Sequence, residues 1–243
     1  QWSQNFEYDE EAQFYALQWL RTRRTEIPER DPRPFFLCVS YQHPHNPFHT
    51  TQELWNIYEG AEIESPALPD DMESHVHPMD YWINVFHGTD RVDLMNPETL
   101  YNLRRVYYAN TSYIDRKLGE LIATLKQCGL YENTIVFFTS DHGDMLAERG
   151  MVQKRTFYEY SSRVPLIASY PGHWKPGRAV SEPVSLMDLA PTFIELGTGQ
   201  APQEMSGRSL VPLLEGRDDG PEPREVISSW HSHGIRAASF MIR

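Results

Sequence analysis

The strongest constraint on the fold is a short apolar segment, Thr134-Ile135-Val136-Phe137-Phe138-Thr139, which polar residues follow at once. The segment is rich in β-branched and aromatic residues and is apolar at consecutive positions, which is typical of a strand buried on both faces. The residues after it are Ser140-Asp141-His142-Gly143-Asp144. In an open α/β sheet, ligands bind beyond the carboxyl ends of the strands, so this loop is a candidate ligand site.

Two further segments have the apolar periodicity of amphipathic helices. Residues 9–24 place apolar side chains at helical spacing and end in basic residues, which favour a helix C-terminus. A second helix is predicted to begin after Asn96, a preferred N-cap residue, with Pro97 in its first turn. Its apolar positions continue to Leu125, and Gly129 lies where a left-handed C-terminal residue is expected.

Strand-like segments are interspersed with these helices. Residues 35–39 are predicted to form a buried strand, residues 164–168 another, and residues 225–230 and 237–242 an antiparallel pair. The predicted fold class is therefore α/β, with a mostly parallel sheet sandwiched by helices and the start of a smaller C-terminal α+β segment.

The two ends of the chain read as the interior of a longer protein, because Gln1 is not an initiator Met and residues 240–243 look like an interrupted strand. We therefore expect an incomplete α/β domain over 1–200 and the start of the smaller segment over 201–243. No cellular compartment is assigned. Residues 60–95 have little periodicity and are predicted to form a functional excursion that shapes a substrate pocket.

Composition excludes several classes of protein. The 243 residues include 22 Lys and Arg against 34 Asp and Glu, for a formal net charge of −12. This balance argues against nucleic acid held by bulk charge, but not against a small anionic substrate at a locally positive site. Two cysteines are too few for a disulfide scaffold or a multi-cysteine zinc site, and Cys38 is expected to be a buried thiol. The apolar runs are of strand length, so no membrane span is predicted; a homo-oligomer is left open.

Asp141 and His142 are the strongest candidates for metal ligands. Carboxylate oxygens suit calcium or magnesium, and an imidazole shifts the preference towards manganese or zinc. Gly143 would let the backbone turn close to the ion. The alternative is that Asp141 caps a following helix and His142 is a surface group whose hydrogen bonds are satisfied.

Three other side chains are candidates for contact with a substrate. His43 and His45 lie in a loop with Pro44 and Pro47, which would make a rigid platform for an imidazole that acts as an acid or donates to an oxyanion. The alternative is a loop shaped by its prolines, with both imidazoles solvated. Lys154 lies upstream of an aromatic pair, and without further information it is expected to be a solvated side chain.

Several segments together carry a resemblance to a known family. Residues 137–150 resemble the second metal-ligand segment of sulfatases in the alkaline-phosphatase superfamily, and the match continues through Lys154 to residues 157–159 and 163–166. Upstream, Ser40–Phe48 resembles the sulfate-contacting loop of the choline-sulfatase branch, and residues 107–115 resemble its long central helix.

The resemblance implies an alkaline-phosphatase-like fold and a small-molecule sulfate ester as substrate. Asp141 and His142 would then be metal ligands, with calcium as the expected ion and manganese or magnesium as alternatives. His45 would contact the sulfate or protonate the leaving oxygen, with His43 as a further substrate contact. Lys154 would bridge the sulfate and the catalytic residue. The two loops are expected to converge on an ester group held against a cation.

The chain also departs from the family pattern. Sulfatases carry a Cys-x-Pro-Ser-Arg segment whose cysteine becomes the formylglycine nucleophile, and neither Cys38 nor Cys128 has these flanking residues. The chain thus resembles the second half of a sulfatase, and this segment alone is expected to be inactive. Two alternatives are a phosphodiesterase or phosphonate monoester hydrolase of the same superfamily, and a catalytically incomplete fragment without turnover.

Overall fold

A computed structural model describes residues 2–27, 31, 33–66, 68, 77–94, 96–217, 225–231 and 237–243. The chain divides into two compact units. The first comprises Gln1–Thr134 and Met145–Gln153, and the second comprises Ile135–Asp144 and Lys154–Arg243. The boundary that the sequence suggests near residue 200 stays a prediction.

The helices and strands alternate irregularly along the chain. The helices are α1 (Gln4–Thr22), α2 (Gln52–Asn56), α3 (Pro78–His87), α4 (Pro97–Gln127), α5 (Glu159–Ser162), α6 (Leu189–Thr198) and α7 (Val211–Glu215). The strands are β1 (Val136–Thr139), β2 (Met145–Leu146), β3 (Val152–Gln153), β4 (Leu166–Ser169), β5 (Ile227–Trp230) and β6 (Ser239–Ile242). In the part of the chain described here, no helix combines the length and the apolar character needed to cross a bilayer.

Helix α4 begins and ends where the sequence predicts. The Asn96 side chain accepts the backbone N–H groups of Glu98 at 2.9 Å and Thr99 at 3.1 Å, which satisfies two donors that have no partner within the helix. Pro97 occupies the first turn, where its missing N–H costs nothing. At the other end, Gly129 has a φ of +68°, a left-handed conformation that glycine adopts without strain.

The strand pair β2–β3 is attached to α4 through a buried ion pair. Arg104 donates from Nη1 to Glu148 Oε1 at 2.6 Å, and both side chains are almost fully buried. The same guanidinium donates to the backbone oxygen of Leu146 in β2, and Glu148 also accepts the Leu146 N–H. The arginine and the glutamate therefore fix the turn between β2 and β3 against the helix.

Two more buried cations on α4 contact the helices that pack against it. Arg105 donates to the backbone oxygen of Trp55 in α2 at 2.8 Å and lies over the indole ring. Lys117 donates to Glu10 of α1 at 2.7 Å. Each cation has a specific acceptor on a different element, so α4 organises the first unit by directed polar contacts as well as by apolar packing.

The second unit contains β1 and β4, which pair antiparallel with Val136 opposite Ser169 and Thr139 opposite Leu166. The ring of Phe137 packs edge-on against Phe193 of α6, at a centroid distance of 5.1 Å. Strands β5 and β6 form the antiparallel pair expected from the sequence.

The expected mostly parallel sheet is not found in the described residues, where β1–β4, β2–β3 and β5–β6 all pair antiparallel. The connection from β1 to β4 leaves and re-enters the strand pair at the same end, since Thr139, the last residue of β1, lies opposite Leu166, the first residue of β4. A parallel pair needs a crossover to the other end of the sheet, usually through a long helix, and α5 has only 4 residues. Consecutive apolar positions indicate burial, not strand direction.

Residues 35–39 were predicted to form a buried strand, and this is wrong. They belong to no strand and have no paired strand in the described part of the chain, and Phe36 is 71% exposed. The same segment leaves Cys38 exposed rather than buried. Of the predicted excursion over 60–95, the structure describes α3 and the turn at Thr89–Arg91, whereas 67, 69–76 and 95 lie outside the described residues.

Replacement of Arg104 by Met should destabilise the protein strongly, because it leaves the Glu148 carboxylate buried without its cation. We expect a loss of about 3–5 kcal/mol in the free energy of unfolding, measured by urea denaturation. Arg116→Met is the control: its ion pair with Glu53 has the same kind of partners but is exposed, so the loss should stay below about 1 kcal/mol. Equal losses in the two variants would contradict this account.

Candidate active site

The residues predicted to form the site fall into two groups. His43 and His45 belong to the first unit, whereas Asp141, His142 and Lys154 belong to the second. The expected convergence of the two loops stays a prediction.

Asp141 and His142 present their side chains together at the end of β1. The His142 backbone N–H donates to Asp141 Oδ1 at 3.0 Å, and His142 Nε2 lies 3.6 Å from Asp141 Oδ2. The other ring nitrogen, Nδ1, donates to the Gly143 carbonyl at 2.9 Å, which leaves the lone pair of a neutral ring on Nε2. The carboxylate is 85% exposed. The pair therefore offers one oxygen and one nitrogen ligand to a cation.

This donor set fits a metal ion in part. Hard cations such as calcium take about six to eight oxygen ligands, and no group of three or more His, Cys, Asp or Glu residues in the described part of the chain could hold an ion. Asp141 and His142 can thus supply two ligands of a larger set. The alternative that Asp141 caps a helix is wrong, because residues 141–144 lead into β2.

Gly143 allows the backbone to approach another chain segment closely. Its N–H donates to the Ser161 carbonyl at 2.8 Å. A Cβ at this position would overlap the backbone oxygen of Tyr160, which a flexible side chain cannot relieve. Only glycine fits here, and the contact fixes the chain directly after His142.

Lys154 is half-buried, contrary to the solvated lysine expected without the resemblance. Burial lowers the pKa of its ammonium group, and the nearby Asp144 carboxylate opposes that shift. Asp144 is itself buried, with 8% of its surface exposed. Asp144 was not among the predicted site residues, although its position two residues after His142 placed it in the candidate loop. It favours the charged form of the lysine.

The backbone on both sides of Lys154 is in the left-handed region. Gln153 has a φ of +73° and Arg155 a φ of +79°, and upstream Ala147 and Arg149 also have positive φ values. Non-glycine residues pay a steric cost of about 1–2 kcal/mol for this conformation. Such strain persists where the surrounding structure requires it, and at Gln153 and Arg155 it helps to set the direction of the Lys154 Cα–Cβ bond.

The imidazole of His45 is oriented by its own loop. Nδ1 donates to the backbone oxygen of Asn46 at 2.6 Å, so this nitrogen carries a proton and Nε2 is the nitrogen for proton exchange. The His45 N–H donates to the Gln42 carbonyl at 2.9 Å, and Asn5 of α1 donates to the His45 carbonyl at 3.2 Å.

His43 is buried, so the alternative in which both imidazoles are solvated is wrong for this residue. Its Nδ1 lies 2.6 Å from Oδ2 of Asp9, a residue of α1 that is also fully buried. Asp9 was not among the predicted site residues, because nothing local in the sequence relates it to a residue 34 positions further along the chain. The role of His43 in substrate binding stays a prediction.

Comparison with known proteins identifies the family. Residues 1–199 match the Sulfatase family. The chain belongs to the sulfatase family. It is 38% identical over 217 residues to the choline-sulfatase of Rhizobium meliloti (strain 1021). The aligned segment covers 86% of this chain and 41% of the relative. The chain is 30% identical to human arylsulfatase K, covering 94% of this chain and 44% of the relative.

A solved structure shows the fold that this family shares with a related hydrolase. The phosphonate monoester hydrolase SpPMH from Silicibacter pomeroyi superposes with a TM-score of 0.74 and 30% identity, over 89% of this chain and 43% of the hydrolase. The resemblance to sulfatases of the alkaline-phosphatase superfamily is therefore confirmed at the level of family and fold. The chain spans less than half the length of each of these three proteins.

Gly143→Ala should disturb the metal-ligand loop, because the new Cβ must displace the Tyr160 carbonyl or the loop itself. We expect a loss of about 1–3 kcal/mol in the free energy of unfolding, together with weaker Mn²⁺ binding in a calorimetric titration. The matched control is Gly197→Ala within α6, where a Cβ meets open space and should be neutral or slightly stabilising. Unchanged stability and Mn²⁺ binding in Gly143→Ala would contradict the close contact.

Proposed function

We propose that the protein to which this chain belongs is a sulfuric-ester hydrolase that acts on a small-molecule sulfate ester. The observation that carries this proposal is the family match over residues 1–199, together with the identity to a choline-sulfatase. A sulfate ester is an anion, so its hydrolysis needs cationic groups that neutralise charge before a nucleophile can approach. The chain offers such groups.

Sulfatases of this family generally use a divalent metal and a formylglycine nucleophile. Asp141 and His142 would hold the metal through the carboxylate and through Nε2. When bound, the ion would neutralise charge on the ester and polarise its oxygens. The resemblance to sulfatases implies calcium as the ion, with manganese and magnesium as alternatives, and a carboxylate oxygen is a ligand that suits calcium.

Lys154 would bind a sulfate oxygen through its ammonium group and bridge it to the catalytic residue. This role needs the lysine charged. The carboxylate of Asp144 favours that form although burial lowers the lysine pKa. The left-handed backbone at Gln153 and Arg155 would set the direction of the Lys154 Cα–Cβ bond, and partial burial would limit the positions that the ammonium can take. An oriented cation costs less reorganisation during the reaction than a flexible one.

His45 would donate a proton from Nε2 to the leaving oxygen. The hydrogen bond from its Nδ1 to the Asn46 carbonyl holds the ring in the orientation that this needs. General acids of this kind contribute about 10²–10⁴-fold to the rate.

The nucleophile would come from outside this chain segment. Cys38 is followed by Val39 and Ser40 instead of the sequence that formylglycine formation requires. Cys128 is buried at the end of α4, and burial raises the pKa of its thiol, which disfavours the reactive thiolate. We infer that the segment alone does not turn over substrate.

A second candidate activity is phosphonate monoester or phosphodiester hydrolysis. It is favoured by the similarity to the phosphonate monoester hydrolase from Silicibacter pomeroyi. Phosphorus and sulfur esters need similar charge neutralisation, so the ligand pair Asp141 and His142 suits both.

Parallel assays on the full-length enzyme should separate these activities. We expect kcat/KM for a nitrophenyl sulfate to exceed that for a nitrophenyl phosphodiester and for a phenyl phosphonate monoester by at least about tenfold, which is about 1.4 kcal/mol in transition-state stabilisation. The reverse order would favour the second candidate. No turnover of any of the three by the full-length enzyme would favour a non-catalytic protein.

Asp141→Ala should lower the metal content of the full-length enzyme, because it removes a carboxylate ligand. We expect elemental analysis after dialysis to find about one divalent ion per chain in the wild type and a small fraction of that in the variant. Asp115→Ala, at an exposed position on α4, is the control and should keep its metal. Full metal content in Asp141→Ala would refute the assignment.

A further inference from the structure

A buried carboxylate–imidazole pair fastens the histidine loop to α1. The side chains of Asp9 and His43 are both fully buried, with 2.6 Å between Oδ2 and Nδ1. The same carboxylate accepts the backbone N–H of Gln42 at 2.5 Å and that of His43 at 3.1 Å. Because one carboxylate accepts three directional hydrogen bonds, it restricts the main chain at 42–43 to a narrow range of positions against α1.

The ring of His43 is enclosed by aromatic side chains. Its centroid lies 4.1 Å from that of Phe6 and 5.3 Å from that of Tyr113. Its Nε2 is buried and has no hydrogen-bond partner among the residues that the structure describes. Buried polar pairs often stabilise a protein no more than apolar groups of the same volume. We therefore interpret the pair of Asp9 and His43 as a restraint on the position of the main chain at 42–43, and not as a source of net folding stability.

One residue transmits this restraint to His45. Gln42 donates its backbone N–H to Asp9, and its carbonyl oxygen accepts the His45 N–H at 2.9 Å. On the C-terminal side of the His45 Cα atom, Asn5 of α1 donates to the His45 carbonyl at 3.2 Å. Helix α1 thus holds the main chain both before and after the His45 side chain.

We propose that Asp9 and His43 are positioning residues for His45. The inference rests on the proposed function, in which His45 protonates the leaving oxygen. Asp9 acts through the loop without touching the ester, and His43 serves as the link between helix and loop instead of a substrate contact. A misplaced acid should harm substrates with a poor leaving group most, because their alcohol depends on the proton in the transition state.

The test compares two sulfate esters in the full-length enzyme, an alkyl sulfate with a poor leaving group and a nitrophenyl sulfate with a good one. We expect Asp9→Asn and His43→Leu to lower kcat for the alkyl sulfate by about 10- to 100-fold, with a much smaller loss for the nitrophenyl sulfate and little change in KM. His43→Asn should recover most of the loss, since its side-chain N–H can replace Nδ1–H.

Two further variants make the comparison decisive. His45→Ala should show the same leaving-group selectivity at larger magnitude. Glu10→Gln weakens another polar link between α1 and α4, so it should lower stability without that selectivity. If His43→Leu does not fold, Asp9→Asn carries the comparison alone, because an amide has nearly the size of the carboxylate.

Equal losses for both esters in Asp9→Asn, with selectivity retained in His45→Ala, would overturn the positioning role and leave the proposed function intact. If His45→Ala itself lacks selectivity, the acid role of His45 fails and the positioning role fails with it. Selectivity in Asp9→Asn and its absence in Glu10→Gln would support the inference.

Discussion

The first unit depends on buried cations along α4, each of which has an acceptor on a different element. Arg104 reaches Glu148 beside β2, Arg105 reaches a carbonyl of α2, and Lys117 reaches α1. An unpaired charge in such a position would cost several kcal/mol, so alternative arrangements of these elements are disfavoured even where their apolar contacts would be equal. The position of α1 is defined in this way, and through Asp9 and Asn5 so is the loop that carries His45.

The candidate metal ligand Asp141 differs in burial from the side chains that lie near or support the other candidate site residues. The Asp141 carboxylate is largely exposed, whereas Asp144, Asp9 and His43 are buried. In each unit the main chain beside the candidate residues is fixed by a different kind of contact. In the first, a carboxylate fixes the main chain near His45. In the second, a glycine contact fixes the main chain directly after His142, and Arg155 beside Lys154 has a left-handed backbone. Rigid support of this kind is what an oriented electrostatic site requires.

Features that depend on local sequence could be predicted. Asn96, Pro97 and Gly129 set the ends of α4 by interactions within a few residues, and the β5–β6 pair follows from alternating segments close in sequence. Features that depend on distant partners could not. Residues 35–39 have the composition of a buried strand, but a strand also needs a neighbour, and composition does not identify one. The role of Asp9 likewise depends on a loop far along the chain.

The four left-handed residues between 147 and 155 limit how this stretch can vary in sequence. Side chains branched at Cβ clash with the backbone in that conformation, whereas glycine and asparagine tolerate it. Natural variants and designed libraries should therefore admit Gly or Asn at Arg149, Gln153 and Arg155 and should lose Val, Ile and Thr there. At Ala147, which is fully buried in an apolar cluster, only Gly should be admitted. The restriction comes from the shape of the main chain, so a survey of side-chain contacts alone would overlook it.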